Sequence, residues 1–242
     1  MKKIEVAIVD YGLGNLFSVK NACTYVGMHA TVTASRKEIL SSDGVILPGV
    51  GAFGDAIAAL HRLNLIDTLR EVVDSQHFLM GICLGMQLLM SESYEFGRHE
   101  GLGIIKGSVI KFDNPISTSG ILKVPQVGWN RVFKKKVDDS LTGCQNLDGD
   151  VWFNSPLRGL DDGEFMYFVH SFFTIPNDSS IIKSTSKYGN IEFCSSFSSK
   201  NIFATQFHPE RSGLKGLQIY RNIAVLILAA SGDKNISNVK IK

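Results

Sequence analysis

The sequence predicts an α/β fold on a doubly wound, mostly parallel sheet, with helices on both faces and antiparallel strands added in the second half. Three observations carry that prediction. Short β-branched runs alternate with stretches of helical periodicity through the first half of the chain, the mark of parallel βαβ units. An apolar run at 78–82 passes directly into a helix through Gly81-Ile82-Cys83-Leu84-Gly85. From residue 109 onward, strand-like runs follow one another with turn residues between them, as antiparallel hairpins do.

Taken in order, residues 4–9 form the first strand, and Tyr11-Gly12-Leu13-Gly14-Asn15 turns the chain. Leu16, Val19, Ala22, Cys23 and Val26 recur at helical spacing, and Gly27 suits the left-handed residue that stops a helix. Strands are expected at 29–33 and 44–47, helices at 52–60 and 66–73, a strand at 78–82 and a helix at 86–90. The second half predicts strands at 109–112, 128–133, 166–173, 181–185, 191–197 and 202–207. A helix at 213–228 places Leu217, Tyr220, Ala224 and Ile227 on one side. With no internal repeat and no dividing linker, residues 1–230 are expected to form a single domain, followed by a polar tail at 231–242 that frays.

Composition narrows the function. The 242 residues are 44% hydrophobic and 20% charged, an ordinary globular balance that excludes disorder or a coiled coil for the whole chain. A formal net charge of +2 gives no electrostatic footprint for nucleic acid or an anionic membrane. No apolar run approaches the ~18 residues of a membrane span. Cys23, Cys83, Cys144 and Cys194 are widely spaced without a CxxC, so they read as thiols of a reducing cytoplasm. The cysteine and histidine spacings match no zinc site, and neither metal nor cofactor is expected. Gly12-Leu13-Gly14 lacks the third glycine of a dinucleotide fingerprint, position 17 being Phe.

Cys83 is the sharpest chemical signal. A glycine on each side permits the tight strand-to-helix turn that thrusts a nucleophile out at the carboxyl edge of the sheet. The helix start behind it favours a thiolate. Cys23, Cys144 and Cys194 have no such setting and read as small buried hydrophobes. A thiolate nucleophile needs a base, and the base an orienting carboxylate. His208-Pro209-Glu210, just beyond the predicted strand at 202–207, supplies both across a turn stiffened by proline. His29, His61, His77 and His99 read as surface residues, and His170 as a core or site-lining one. The loop Pro48-Gly49-Val50-Gly51 can present backbone N–H groups at the same edge, with Leu84 N–H as the second donor to an oxyanion.

Together these residues resemble the class I (triad-type) glutamine amidotransferases, whose two signatures match Gly81-Ile82-Cys83-Leu84-Gly85-Met86-Gln87 and Phe207-His208-Pro209-Glu210. The resemblance is closer to one branch, the glutaminase subunits of imidazole glycerol phosphate synthase in histidine biosynthesis. It is carried by Asp10-Tyr11-Gly12-Leu13-Gly14-Asn15, by residues 48–54, by Gly101-Leu102-Gly103, by Gly128-Trp129-Asn130 and by Phe168-Val169-His170-Ser171. It spans residues 4 to 228 and implies the flavodoxin-like amidotransferase fold. It also implies L-glutamine as substrate, Cys83 as nucleophile, His208 as base and Glu210 as its orienting group. Gly49, Val50, Gly51 and Leu84 would serve the oxyanion, and Gln87, Glu95 and Ser171 the substrate. The implied partner is a (β/α)8 cyclase subunit, met in a heterodimer by a surface that includes Gly12, Asn15, Trp129 and Asn130.

Two features stand apart from that branch. Gln126-Val127 occupies the place where His-Met is expected, and residues 93–97 resemble paralogues that supply ammonia for amidino sugars of bacterial surface glycans. The ammonia acceptor therefore has two readings. A non-catalytic scaffold and a cysteine hydrolase of other amides are the remaining alternatives.

Overall fold

The computed structural model describes residues 3–136 and 150–230; Cys144 and the polar tail at 231–242 lie outside the described residues. The strands are β1 (Glu5–Val9), β2 (His29–Thr33), β3 (Gly44–Gly49), β4 (Phe78–Cys83), β5 (Glu92–Ser93), β6 (His99–Glu100), β7 (Gly107–Lys111) and β8 (Ile116–Ser117). They continue as β9 (Gly120–Ile121), β10 (Gln126–Lys134), β11 (Glu164–His170), β12 (Phe172–Pro176), β13 (Ile182–Tyr188), β14 (Ile191–Ser199) and β15 (Ile202–Thr205). The α-helices are α1 (Leu16–Tyr25), α2 (Arg36–Ser41), α3 (Phe53–Arg62), α4 (Leu65–Asp74), α5 (Leu84–Leu88) and α6 (Gly213–Ala230).

The main sheet has the order β11-β10-β13-β14-β15-β4-β3-β1-β2. Its half from β2 to β15 is parallel, while β14, β13, β10 and β11 are antiparallel. The predicted doubly wound sheet with an antiparallel addition is therefore present. A second sheet, β12-β7-β5-β6, and the small hairpin β8-β9 complete the fold. No helix among the described residues is long and apolar enough to cross a membrane.

Pleat and burial explain the layers. Along β1, Val6 and Ile8 join one core with α1 and α6, while Ala7 and Val9 join the other with α2 to α5. A strand between two helical layers must be apolar on both faces, and β3 and β15 are buried at every residue. Each fully buried Val, Leu, Ile or Phe contributes about 1.5–3 kcal/mol, so this central block anchors whatever its strand ends carry.

Several elements differ from the sequence reading, and the short strands β5, β6, β8 and β9 are additional to it. The single strand expected at 166–173 is two strands in different sheets: β11 pairs with β10, and β12 pairs with β7. The break falls at Ser171, where the polar pair His170-Ser171 interrupts the apolar run. Helix α5 begins at Leu84, directly on Cys83, two residues before its predicted start. Helix α2 is an additional element, and Ser35 caps it by accepting a hydrogen bond from Glu38 N.

Candidate active site

Because β1, β3, β4 and β15 run parallel, their carboxyl ends open on one edge, where open α/β sheets place their ligands. Those ends deliver Tyr11, the Gly49–Gly51 loop, Cys83 and the Gln206–His208 segment to one place. The turn at Cys83 is tight enough to force the residue to positive φ, with φ 54° and ψ −108°. A non-glycine residue held there stores strain of order 1–3 kcal/mol. Gly85 is a steric necessity, since a Cβ there would lie 1.8 Å from Leu47 O, and Gly81 is tightly set, its Cβ falling 3.0 Å from Gly85 O. Gly49, the register partner of Cys83 on β3, is equally constrained, since its Cβ would lie 2.3 Å from Tyr11 Oη.

Cys83 is 5% exposed. Its Sγ lies 3.8 Å from Val169 O, to which the thiol can donate, and 3.6 Å from Gln206 Nε2, which donates to it. His208 and Glu210 form a buried couple, with Nδ1 2.8 Å from Oε1 and side chains 3% and 1% exposed. Burial alone would lower the affinity of His208 for a proton, but the neighbouring Cys83 and Glu210 reverse this and its pKa is raised. Among the described residues His208 Nε2 has no hydrogen-bond partner of regular geometry, and the sulfur lies near enough to raise the proton affinity of the imidazole by charge and by a hydrogen bond.

The backbone of that turn is fixed from two sides. His208 N donates to Tyr167 O (2.9 Å), Tyr167 N donates to Ser212 Oγ (3.0 Å), and Ser212 Oγ donates to His208 O (2.6 Å). A cavity of about 240 Å³ opens above Cys83, lined by Val50, Gly51, Leu84, Gln87, Glu95, Pro125 and residues 169–172. That volume suits a small metabolite, below the ~300–1,000 Å³ of drug-sized pockets.

Each candidate residue has a definite place. Gln87 is buried on α5, its Nε2 donating to Phe172 O (2.9 Å) and Gln206 Oε1 (3.1 Å). Glu95 Oε2 accepts from Phe53 N (2.6 Å), supplying the cap that Ala52 cannot give α3. Ser171 lines the cavity between β11 and β12, and its carbonyl accepts from Phe112 N (3.0 Å). Val50 and Gly51 line it too, whereas Gly49 is buried beneath them.

The candidate partner residues lie outside the cavity. Gly12 N donates to Asp10 Oδ1, Asn15 caps α1 through Ser18 N, and Trp129 is 55% exposed against the edge of Tyr167. Asn130 Nδ2 donates to Lys187 O (2.8 Å).

Sequence reasoning missed two neighbours, Gln206 and Tyr11, and placed a third, His170, as a core or site-lining residue. Gln206 touches the sulfur, and its one signal was a polar residue at the end of an apolar strand. Tyr11 Oη donates to Pro48 O (2.8 Å), tying the β1 turn to the glycine loop. His170 donates from Nδ1 to Phe172 O (2.9 Å), and burial lowers its pKa to about 4, so it lines the cavity as the neutral imidazole.

Comparison with known proteins places the chain in a family. The chain is 45% identical over 219 residues to "Imidazole glycerol phosphate synthase subunit HisH" of Chlorobium luteolum, covering 90% of this chain and 98% of that protein. It is 42% identical over 218 residues to the protein of the same name from Sulfurimonas denitrificans, covering 90% and 96%. Among solved structures, PurLQS from Thermotoga maritima superposes with a TM-score of 0.66 at 17% identity, over 93% of this chain and all of that one. The glutaminase domain of Trypanosoma brucei CTPS gives 0.61 at 14%, over 96% and 95%. Identities that low show the fold alone. The family model described as "Glutamine amidotransferase class-I" matches residues 7–226, and the chain belongs to that family.

Proposed function

We propose that this chain is the glutaminase subunit of an imidazole glycerol phosphate synthase. It hydrolyses L-glutamine to glutamate and ammonia in the cytoplasm and passes the ammonia to a (β/α)8 cyclase subunit. The observation that carries the reading is the buried His208–Glu210 couple beside an elbow cysteine, at the base of a cavity sized for a free amino acid. The relatives' shared name supports imidazole glycerol phosphate synthesis as the destination of the ammonia, over amidino-sugar synthesis.

The chemistry follows from the positions. His208 Nε2 takes the proton of Cys83, and Sγ forms a bond to the side-chain amide carbon of glutamine while the C=O π pair moves onto oxygen. Backbone N–H groups of the Gly49–Gly51 loop and of Leu84 stabilise that oxyanion. Collapse breaks the C–N bond, and the proton held by His208 goes to the departing nitrogen as ammonia. Water then gives a proton to His208 and its oxygen to the thioester carbon. The C–S bond breaks, and Sγ recovers the proton as glutamate leaves. Glu210 holds His208 through Nδ1–H and offsets its positive charge. Gln87, Glu95 and Ser171 orient the substrate.

Cys83→Ala, assayed with the cyclase partner present, is expected to abolish glutamate release and leave the complex intact. Undiminished release would overturn the reading. A strain lacking the histidine-pathway glutaminase and rescued by this gene would support the acceptor, and failure of rescue by an active chain would exclude it.

A further inference from the structure

One contact to the sulfur plays no part in the proton relay through His208. Gln206 is fully buried just beyond β15, and its side-chain orientation follows from obligate roles. Phe172 O can only accept, so the atom of Gln87 facing it is the nitrogen. That nitrogen can only donate, so Gln206 presents its oxygen to Gln87, and its own nitrogen then faces Cys83 Sγ at 3.6 Å.

We propose that Gln206 is a positioning residue that donates an N–H to the Cys83 sulfur and selectively stabilises its ionised form. The proposal rests on Cys83 being the nucleophile. A neutral thiol can donate to Val169 O, 3.8 Å away; a thiolate has no hydrogen to give and needs donors. Proton transfer to His208 therefore turns the Val169 contact unfavourable and makes the Gln206 contact charge-assisted. The site gives the sulfur few other sources of help. Tyr11 Oη is committed to Pro48 O, and His170 is neutral with Nδ1–H committed to Phe172 O. Glu210 is an anion held against His208. Among the side chains of the described residues around the sulfur, His208, once protonated, is the second donor, beside the backbone start of α5. Because Gln87 anchors Gln206 and also lines the cavity, the donor is held by the same wall that meets the substrate.

The test is the pH dependence of Cys83 alkylation by iodoacetamide in the full chain, read by mass on the Cys83 peptide. Gln206→Glu keeps an acceptor for Gln87 but removes the donor, and Gln206→Met keeps the length without either. Both variants are expected to move the alkylation midpoint up by about one pH unit or more. Glutamine turnover with the partner present should fall about tenfold in kcat, with KM within about threefold. A folded variant with an unmoved midpoint overturns the proposal, because a space-filling role would not change that profile. Should neither variant fold, the side-chain amide protons of Gln206 in isotope-labelled wild type decide: they must titrate in step with the alkylation profile, and a flat response is a refutation. Absence of glutamate release from the wild-type chain with its partner would instead remove the glutaminase reading, an outcome the alkylation midpoint does not report.

Discussion

Gly216 on α6 lies directly against the carbonyl of Pro209, so closely that a Cβ at 216 would sit 1.9 Å from that oxygen. Pro209 is the link between His208 and Glu210. The helix therefore presses on the turn that sets the imidazole–carboxylate geometry, and only a residue without a side chain permits the approach.

Gly216→Ala must push the turn away from α6. Overpacking of this kind costs about 1–3 kcal/mol, and the displacement falls on the His208–Glu210 bond. The variant is expected to melt at a lower temperature and to lose at least tenfold in glutamine turnover with the partner present. Wild-type turnover in a destabilised Gly216→Ala chain would show that the proposed triad tolerates movement of this turn.

How much of this was legible in the residues depends on range. Cys83, flanked by two glycines at the end of an apolar run, announced its elbow because the steric demand is local and needs glycine on both sides. His208 and Glu210 were legible together because one turn joins them. The contact of Gly216 with Pro209 was not, since it depends on how α6 docks, and a helical glycine has no local signature of a close approach. Ser35-Arg36-Lys37-Glu38 does carry the S-x-x-E pattern of a helix start. The signal is faint because only one apolar position, Ile39, is buried in so short a helix. Gln206 and Gln87 are 119 positions apart, and no periodicity reports a contact of that span. The split between β11 and β12 is marked in the sequence by the polar pair His170-Ser171 between two apolar runs, but such a pair does not say whether the chain continues in the same sheet.

His170 predicts an acid-sensitive stability. Burial lowers its folded pKa to about 4, whereas an unfolded histidine titrates near 6.5. Between those values the unfolded chain binds the extra proton, so stability falls as pH drops from about 6.5 to 4, by an amount approaching 3 kcal/mol. His170→Asn removes this titration. Denaturant unfolding at several pH values should show a shallower acid slope for the variant, and parallel slopes would mean that His170 is not held neutral.

Trp129 predicts a partner effect separable from chemistry. Val127, Trp129 and Arg131 alternate along β10 as exposed residues, with Tyr167 edge-on to the indole. An exposed tryptophan on a fixed strand is suited to anchor an interface, where truncation costs about 2 kcal/mol or more. Trp129→Ala is expected to weaken binding of the proposed cyclase partner by about 30-fold. The rate at which a glutamine-like alkylating agent modifies Cys83 in the lone chain should not change. Equal partner affinity measured by calorimetry would place the interface elsewhere.

The strain at Cys83 can be measured by releasing it. With φ at 54° and ψ at −108°, the residue occupies backbone space that glycine enters readily and alanine does not. Comparing Cys83→Gly with Cys83→Ala removes the thiol in both and leaves the backbone penalty as the main difference. The glycine variant should be the more stable of the two by about 1 kcal/mol, although glycine normally destabilises a strand end relative to alanine through its greater unfolded freedom. Both variants should be inactive as glutaminases, so any stability gained at this position is gained by abandoning the proposed nucleophile. Chemical denaturation of the two chains reads the difference directly. Alanine equal to or better than glycine would mean that the elbow is relaxed, and that the glycines at 81 and 85 serve packing alone.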